Sequence, residues 1–349
     1  MRIAQIAPLM ESVPPKLYGG TERVVAWLVD ELVELGHQVT LFASGDSRTR
    51  AELHPVWPRA LRLGRPQPDP NAVLAMMLDA VAGRAQEFDV VHAHLDWAHL
   101  PVLTRSTTPF LTTLHGRLDL PGIGEVVRQF QGACFVSISD NQRAPLPDAN
   151  WCGTVHHGLP GRLFHASYET GSYLAFLGRL TPDKGPDEAI RIARAAGMQL
   201  RIAAKQPRGE RGYFRTHIEP ELDGSCVQLI GEVDDRRKQP FLSEAAALLF
   251  PIKWPEPFGL VMIEAMACGT PVIAYGAGSV PEIIEDGVTG FIVDSEEAAV
   301  KALKRLGEID RRTVRSRFEQ RFTAERMAQD YDRHYRKLLD AAGGAEIMP

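Results

Sequence analysis

Cysteine is scarce in this chain. There are four in 349 residues, Cys134, Cys152, Cys226 and Cys268, with no Cys-x-x-Cys pair. Such usage excludes a disulfide framework and predicts reduced thiols in a cytoplasmic protein. A basic excess is also missing: 39 Lys and Arg stand against 44 Asp and Glu, a net charge of −5. That balance argues against a dedicated nucleic-acid binder. No stretch approaches the roughly 18 consecutive apolar residues of a membrane span. The apolar start, Met1 to Pro8, is too short for a signal peptide and reads as a first buried strand. What is present is ordinary globular composition, 44% hydrophobic and 24% charged, which excludes collagen-like, coiled-coil and disordered chains. At roughly 150 residues per domain, the length predicts two domains.

Strand-length apolar runs recur at 2–7, 38–43, 90–93, 110–114 and 135–138. Between the first two, Val24, Leu28, Leu32 and Leu35 share one helical face, with Thr21 the expected N-cap and Gly36 the stop. The pattern restarts at 174–177, then a helix near 186–196 and strands at 199–203, 226–230, 247–250, 271–274 and 290–293. Alternation of this kind implies right-handed βαβ units and parallel sheets. Two α/β lobes are expected, 1–166 and 167–323. A last helix from 324, carrying Met327, Tyr331 and Tyr335 on one face, would rejoin the first lobe. Pro66 to Pro70 reads as a surface loop. The 12 basic and 6 acidic residues between Lys301 and Lys337 read as a solvated face, with a membrane-surface patch as the alternative.

Four stretches carry chemistry. In the first, Trp254 to Ile273, Glu256 and Glu264 flank seven residues. Pro255, Pro257 and Gly259 make a loop there, and a helix can begin at Leu260. The amides of Phe258, Gly259 and Leu260 then sit at a helix N-terminus, where unpaired N–H groups favour an anion such as a nucleotide diphosphate. The second stretch, Leu177 to Gly185, places Arg179 and Lys184 in a short strand-to-helix loop, a fork and a point charge for the same diphosphate. The third, Tyr18-Gly19-Gly20-Thr21-Glu22-Arg23, opens the first helix with glycines that let a ligand approach. The fourth is Thr112-Thr113-Leu114-His115-Gly116, at the carboxyl end of a strand, where open α/β sheets hold ligands. His92, His94 and Asp96 suggest a metal pair on one strand face, but no third ligand has a convincing spacing. They read instead as lining the acceptor side or packing beneath it.

These blocks, in this order over nearly the whole chain, resemble the retaining glycosyltransferases of family 4, whose Glu-x7-Glu signature the first stretch matches. The fairly long loop from Glu11 to Tyr18 resembles the subgroup that includes enzymes of antibiotic oligosaccharide assembly. The resemblance implies the GT-B fold: two Rossmann-like lobes with parallel sheets facing a central cleft. It implies a nucleotide-sugar-binding C-terminal lobe and an acceptor-binding N-terminal lobe. Donor contacts would come from Gly19, Gly20, Arg179, Lys184, Val233, Glu256, Phe258, Gly259, Leu260 and Glu264. His115, Arg179, Lys184 and Glu256 would be the catalytic group, and His94 and Asp96 the acceptor candidates. Arg179 and Lys184 would neutralise the leaving diphosphate, so neither a metal nor a cofactor is expected. The implied reaction moves a hexosyl group with retention, from a UDP-sugar first and GDP-mannose second, to a hydroxyl of a glycan, lipid or small molecule. A GT-B sugar-nucleotide epimerase and an inactive nucleotide- or glycan-binding module are the alternatives. A cytoplasmic location follows, with peripheral contact at the inner membrane face left open, as is the oligomeric state. One departure stands out. His157 replaces the usual Asn before Gly158, which is expected to bear on the hinge and leave the catalytic blocks untouched.

Overall fold

The computed structural model describes residues 1–16, 19–62, 64–205 and 211–345. The chain divides into two compact units, Met1–Gly158 with the chain from Ala324 onward, and Leu159–Thr323. The division falls at Gly158 rather than residue 166 because Leu159 is already tied into the second unit. Its N–H donates to the Phe322 carbonyl at 3.0 Å, and it bridges Thr323 in parallel.

In the first unit seven parallel strands are laid out: β1 (Arg2–Ile6), β2 (Gln38–Ser44), β3 (Glu52–Trp57), β4 (Val90–Ala93), β5 (Phe110–Thr113), β6 (Cys134–Ser137) and β7 (Trp151–Thr154). Their order is β3-β2-β1-β4-β5-β6-β7. Ile3, Ala4 and Ile6 are fully buried, as both-face coverage of a parallel sheet requires. The helix Gly20–Glu34 buries Val24, Leu28 and Leu32. Each such side chain contributes about 1.5–3 kcal/mol of transfer free energy. That helix starts one residue before Thr21, with Gly19 at the N-cap, so Thr21 is not the cap. The terminal helix Ala324–Ala345 packs against it and buries Met327, Tyr331 and Tyr335; positions 346–349 lie outside the described residues.

Three features depart from the sequence reading. The edge strands β3 and β7 were not expected, because Pro55 and half-exposed side chains blur the pattern in one, and the other is four half-buried residues long. Pro70 is not loop but the first residue of a helix, Pro70–Arg84, capped by Asp69, which accepts from the Asn71 N–H at 2.7 Å. The thiols are not all reduced: Cys134 and Cys152 form a disulfide, while Cys226 and Cys268 are free. Eighteen residues of sequence hide their proximity, but β6 and β7 are neighbours, and the register skips Cys152 between Trp151 and Gly153. Their Cα atoms lie 5.7 Å apart.

The second unit is a six-stranded parallel sheet of β8 (Tyr173–Arg179), β9 (Leu200–Lys205), β10 (Val227–Gly231), β11 (Ala245–Phe250), β12 (Val272–Tyr275) and β13 (Gly290–Val293), in the order β10-β9-β8-β11-β12-β13. Buried Arg311 staples its lower edge, donating to the carbonyls of Ser167, Ala245 and Ser243 and to Thr270 Oγ1, at 2.7–2.9 Å. Many other cations of the 301–337 stretch are also engaged: Arg315 with Glu319, Arg317 and Arg321 with Glu285, Arg326 and Arg333 with Asp330, and Arg336 with Asp332. Among the described residues no helix is long and apolar enough to cross a membrane.

Candidate functional site

Each sheet reverses its strand order once. In the second unit the reversal lies between β8 and β11, and ligands of open α/β sheets bind at the carboxyl ends of such strands. The sequence puts its charged residues there. Arg179 ends β8, with its side chain 45% exposed and a 3.5 Å contact to Asp183. Lys184 closes the following turn and is ion-paired with Glu256, which lies in the loop after β11. Its Nζ also sits 4.9 Å from the centre of the Trp254 ring. The two parts of this edge are pressed together by glycines. A Cβ on Gly185 would lie 2.2 Å from the Pro251 carbonyl, and one on Gly278 would lie 2.3 Å from the Glu256 nitrogen. Ser279 then donates its N–H to the Glu256 carbonyl at 3.0 Å and its hydroxyl to the Phe258 carbonyl at 2.7 Å.

The helix Leu260–Ala267 opens at Gly259, left-handed at φ 78°, with no side chain to cap its first N–H groups. Phe258 is buried beneath that turn, and Leu260 is half-exposed. One turn into the helix, Glu264 is 3% exposed and accepts from Lys238 Nζ at 2.6 Å. Lys238 is the partner that sequence reading missed. It lies one turn into the helix Asp235–Ser243, whose Asp234 cap is the only local signal. Val233 is half-buried in the loop before that cap. Arg179, Lys184, Glu256 and the start of the Leu260 helix therefore share one sheet edge. Glu264 stands behind it in a buried pair. Two cations and a helix N-terminus without a side-chain cap can hold an anion there, and the carboxylates can accept from hydroxyls.

In the first unit the reversal lies between β1 and β4. Gly19 is buried and a Cβ on it would press to 2.8 Å from Pro15, while Gly20 is exposed as the first helical residue. Tyr18 lies outside the described residues. His92 and His94 share a face as expected, their ring centres 4.1 Å apart. Their ring nitrogens are taken up by a buried chain of hydrogen bonds. His94 Nδ1 faces His115 Nε2 at 2.8 Å, and His94 Nε2 faces Gln5 Oε1 at 2.9 Å. Gln5 Nε2 lies 3.0 Å from Tyr335 Oη and 3.3 Å from His92 Nδ1. His92 Nε2 meets Thr113 Oγ1 at 2.8 Å, and Thr113 meets Tyr331 Oη at 2.8 Å. His94 thus packs beneath the surface, whereas Asp96 is exposed, in a left-handed conformation at φ 46°. Among the described residues no group of three His, Cys, Asp or Glu is arranged around a metal position.

Burial drives the imidazoles of this cluster toward the neutral form. The His115 and His99 pKa values are pushed down to about 3, and those of His92, His94 and His157 fall well below the usual range. His157 is not remote from the expected catalytic blocks. Its ring stacks on His115, centres 5.2 Å apart at 18°. Gln5, Tyr331 and Tyr335 were also missed as site neighbours. A polar Gln inside an otherwise apolar strand was the one available sign.

Comparison with known proteins agrees with this architecture. Residues 162–322 match the family model "Glycosyl transferases group 1", and residues 18–148 match "Glycosyltransferase Family 4". Among curated proteins, the D-inositol 3-phosphate glycosyltransferase of Mycobacterium tuberculosis (strain F11) is 35% identical over 162 residues, which cover 43% of this chain and 33% of that protein. An uncharacterized 41.2 kDa protein in the cps region of Klebsiella pneumoniae is 33% identical over 125 residues, 36% of this chain and 33% of its own. The chain thus matches about a third of the length of these relatives. Among solved structures, AviGT4, a glycosyltransferase involved in avilamycin A biosynthesis, is 26% identical, with a TM-score of 0.75 over 97% of this chain and 98% of its own. Sucrose-phosphate synthase of Thermosynechococcus elongatus, 21% identical, shares the fold at a TM-score of 0.78 over 97% and 99%. With two parallel Rossmann-like sheets and family matches on both units, the chain belongs to the family 4 glycosyltransferases of the GT-B fold.

Proposed function

We propose that this glycosyltransferase moves a hexosyl group from a nucleotide diphosphate sugar, UDP-sugar before GDP-mannose, to a hydroxyl of a glycan, lipid or small molecule, with retention and without a metal. The observation that supports this most is the gathering of Arg179, Lys184 and the uncapped Leu260 helix at the β8–β11 reversal. Negative charge grows on the diphosphate as the glycosidic bond breaks. Fixed cations and amide dipoles stabilise it without reorganising. Lys184 is held by Glu256 in the free protein. A bound diphosphate would share that cation, and the Glu256 carboxylate would turn to sugar hydroxyls. Glu264, pinned by Lys238, would present its outer oxygen to the ribose. The leaving phosphate would take the acceptor proton on the same face, so no carboxylate nucleophile is needed. In the first unit we assign the acceptor to the carboxyl edge near Asp96 and a donor-orienting role to His115.

A thermal-shift series with UDP, GDP and ADP, followed by turnover on the matching sugar donor, tests this reading. A ligand that binds only the folded state raises the midpoint by mass action. Slow release of free sugar and nucleoside diphosphate without acceptor, undiminished by EDTA, is expected, with the donor's anomeric configuration kept in the transfer product. An inverted product, or activity abolished by EDTA and restored by a divalent ion, would overturn it.

A further inference from the structure

We propose that Gln5 and His94 are positioning residues that set the tautomer of His115, holding its proton on Nε2 and leaving Nδ1 as a bare lone pair for a substrate hydroxyl. The argument is a proton count along the buried chain. All its imidazoles are neutral, so each offers one N–H and one lone pair. The Gln5 amide points Oε1 at His94 and Nε2 at Tyr335 and His92. Its carbonyl must accept, so His94 carries its proton on Nε2. The bare Nδ1 of His94 then accepts from His115 Nε2. One atom of the network is left over, His115 Nδ1, which is buried and has no partner among the described residues.

Turning the amide over reverses every donor and leaves His115 with a buried N–H that nothing accepts. A buried N–H without an acceptor is the rarer defect, since an oxygen or nitrogen lone pair tolerates neglect better. The other arm supports the same sense. With the Tyr335 hydroxyl and the Gln5 amide both donating toward His92 Nδ1, His92 carries its proton on Nε2 and gives it to Thr113 Oγ1. Thr113 and the two tyrosines anchor that arm, so the terminal helix closes the network from the far side. The remaining neighbour of His115, the His157 ring, stacks on its face and restricts its rotation. A neutral imidazole locked in this way accepts an O–H and cannot donate to one. It therefore selects a hydroxyl at its position over an ether or carbonyl oxygen.

This inference rests on the reading of His115 as a substrate contact, and the test separates the two. Nitrogen-15 spectra of the full chain labelled at histidine report which ring nitrogen of His115 bears the proton, with no substrate present. The expected signature at neutral pH is a protonated Nε2 and an unprotonated Nδ1. His94→Leu is expected to give a mixture of tautomers and to lower kcat by about tenfold, less than the roughly 10²–10⁴-fold of an acid–base group itself because His94 acts through His115, with KM for the acceptor little changed. His94→Asn, whose amide oxygen can occupy the Nδ1 position, is expected to restore the signature and most of the turnover. A wild-type spectrum with the proton on Nδ1 would overturn the proposal even if no variant folds. So would a His94→Leu protein that keeps both signature and turnover, while its transfer activity would leave the transferase reading standing.

Discussion

The carboxyl edges of the two sheets do opposite things with polar residues. In the second unit the edge is ionic and partly open, with Arg179 nearly half exposed and Lys184 and Glu256 neutralising one another. In the first unit it is mostly uncharged and closed, a largely buried chain of imidazoles, an amide and phenols with exposed Asp96 beside it. Histidine is partitioned accordingly: of 11 in the chain, all but His165 and His217 lie in the first unit. A charge meant for a ligand stays cheap to hydrate until the ligand arrives. A network meant to orient one atom must be buried, and burial forces it to be neutral.

Acid should separate the two units most strongly. Histidines whose pKa is lowered by folding bind a proton more readily when unfolded. Their stabilisation is complete above about pH 6.5 and is lost as pH falls toward the folded values, about 3 for His99 and His115. Each histidine that stays neutral costs about 1.4 kcal/mol per pH unit in that window. Amide exchange measured between pH 7 and 5 is therefore expected to show β4 and β5 losing protection before β8 and β11. Equal loss in both units would break the contrast.

Next in size is Lys238→Ala, which strands the Glu264 carboxylate in the interior. A loss of about 3–5 kcal/mol in urea unfolding is expected, the usual cost of breaking a buried pair. Lys238→Met together with Glu264→Leu should recover much of it. Arg179→Ala should do the reverse, leaving stability unchanged because the side chain is exposed and weakly paired. It should lower kcat by about 10²–10³-fold, as removal of one transition-state charge contact does. Near-normal transfer by that variant would end the electrostatic assignment. The smallest effect is expected of Lys337→Ala on the terminal helix, within about 0.5 kcal/mol and without a change in turnover. A measurable loss of vesicle binding by that variant would revive the membrane-facing reading of the basic stretch.

Much of this was legible in the residues. Continuous apolar runs marked the central strands of both sheets within a residue or two, because a strand covered on both faces has no polar alternation to confuse it. The edge strands β3 and β7 of the first sheet escaped for the converse reason, whereas β10 and β13 at the edges of the second were expected within a residue. The Glu256–Glu264 spacing, the Arg179–Lys184 loop and the glycine pair were readable because each depends on a few residues close in sequence. Lys238 beside Glu264, His157 on His115 and the Cys134–Cys152 pairing were not, since their partners are brought together by the sheet register.

The amino-acid sequence by itself thus determined the βαβ alternation, the two-unit plan and the local chemistry of each loop, all of which rest on periodicity and short-range spacing. Only the tertiary structure decided that the scarce cysteines include a bonded pair. It alone decided that Tyr331 and Tyr335, hundreds of residues from Gln5 and His92, complete the same network. Hydrophobic burial brings these segments together, and a buried polar atom must then find its partner wherever the packing has left one.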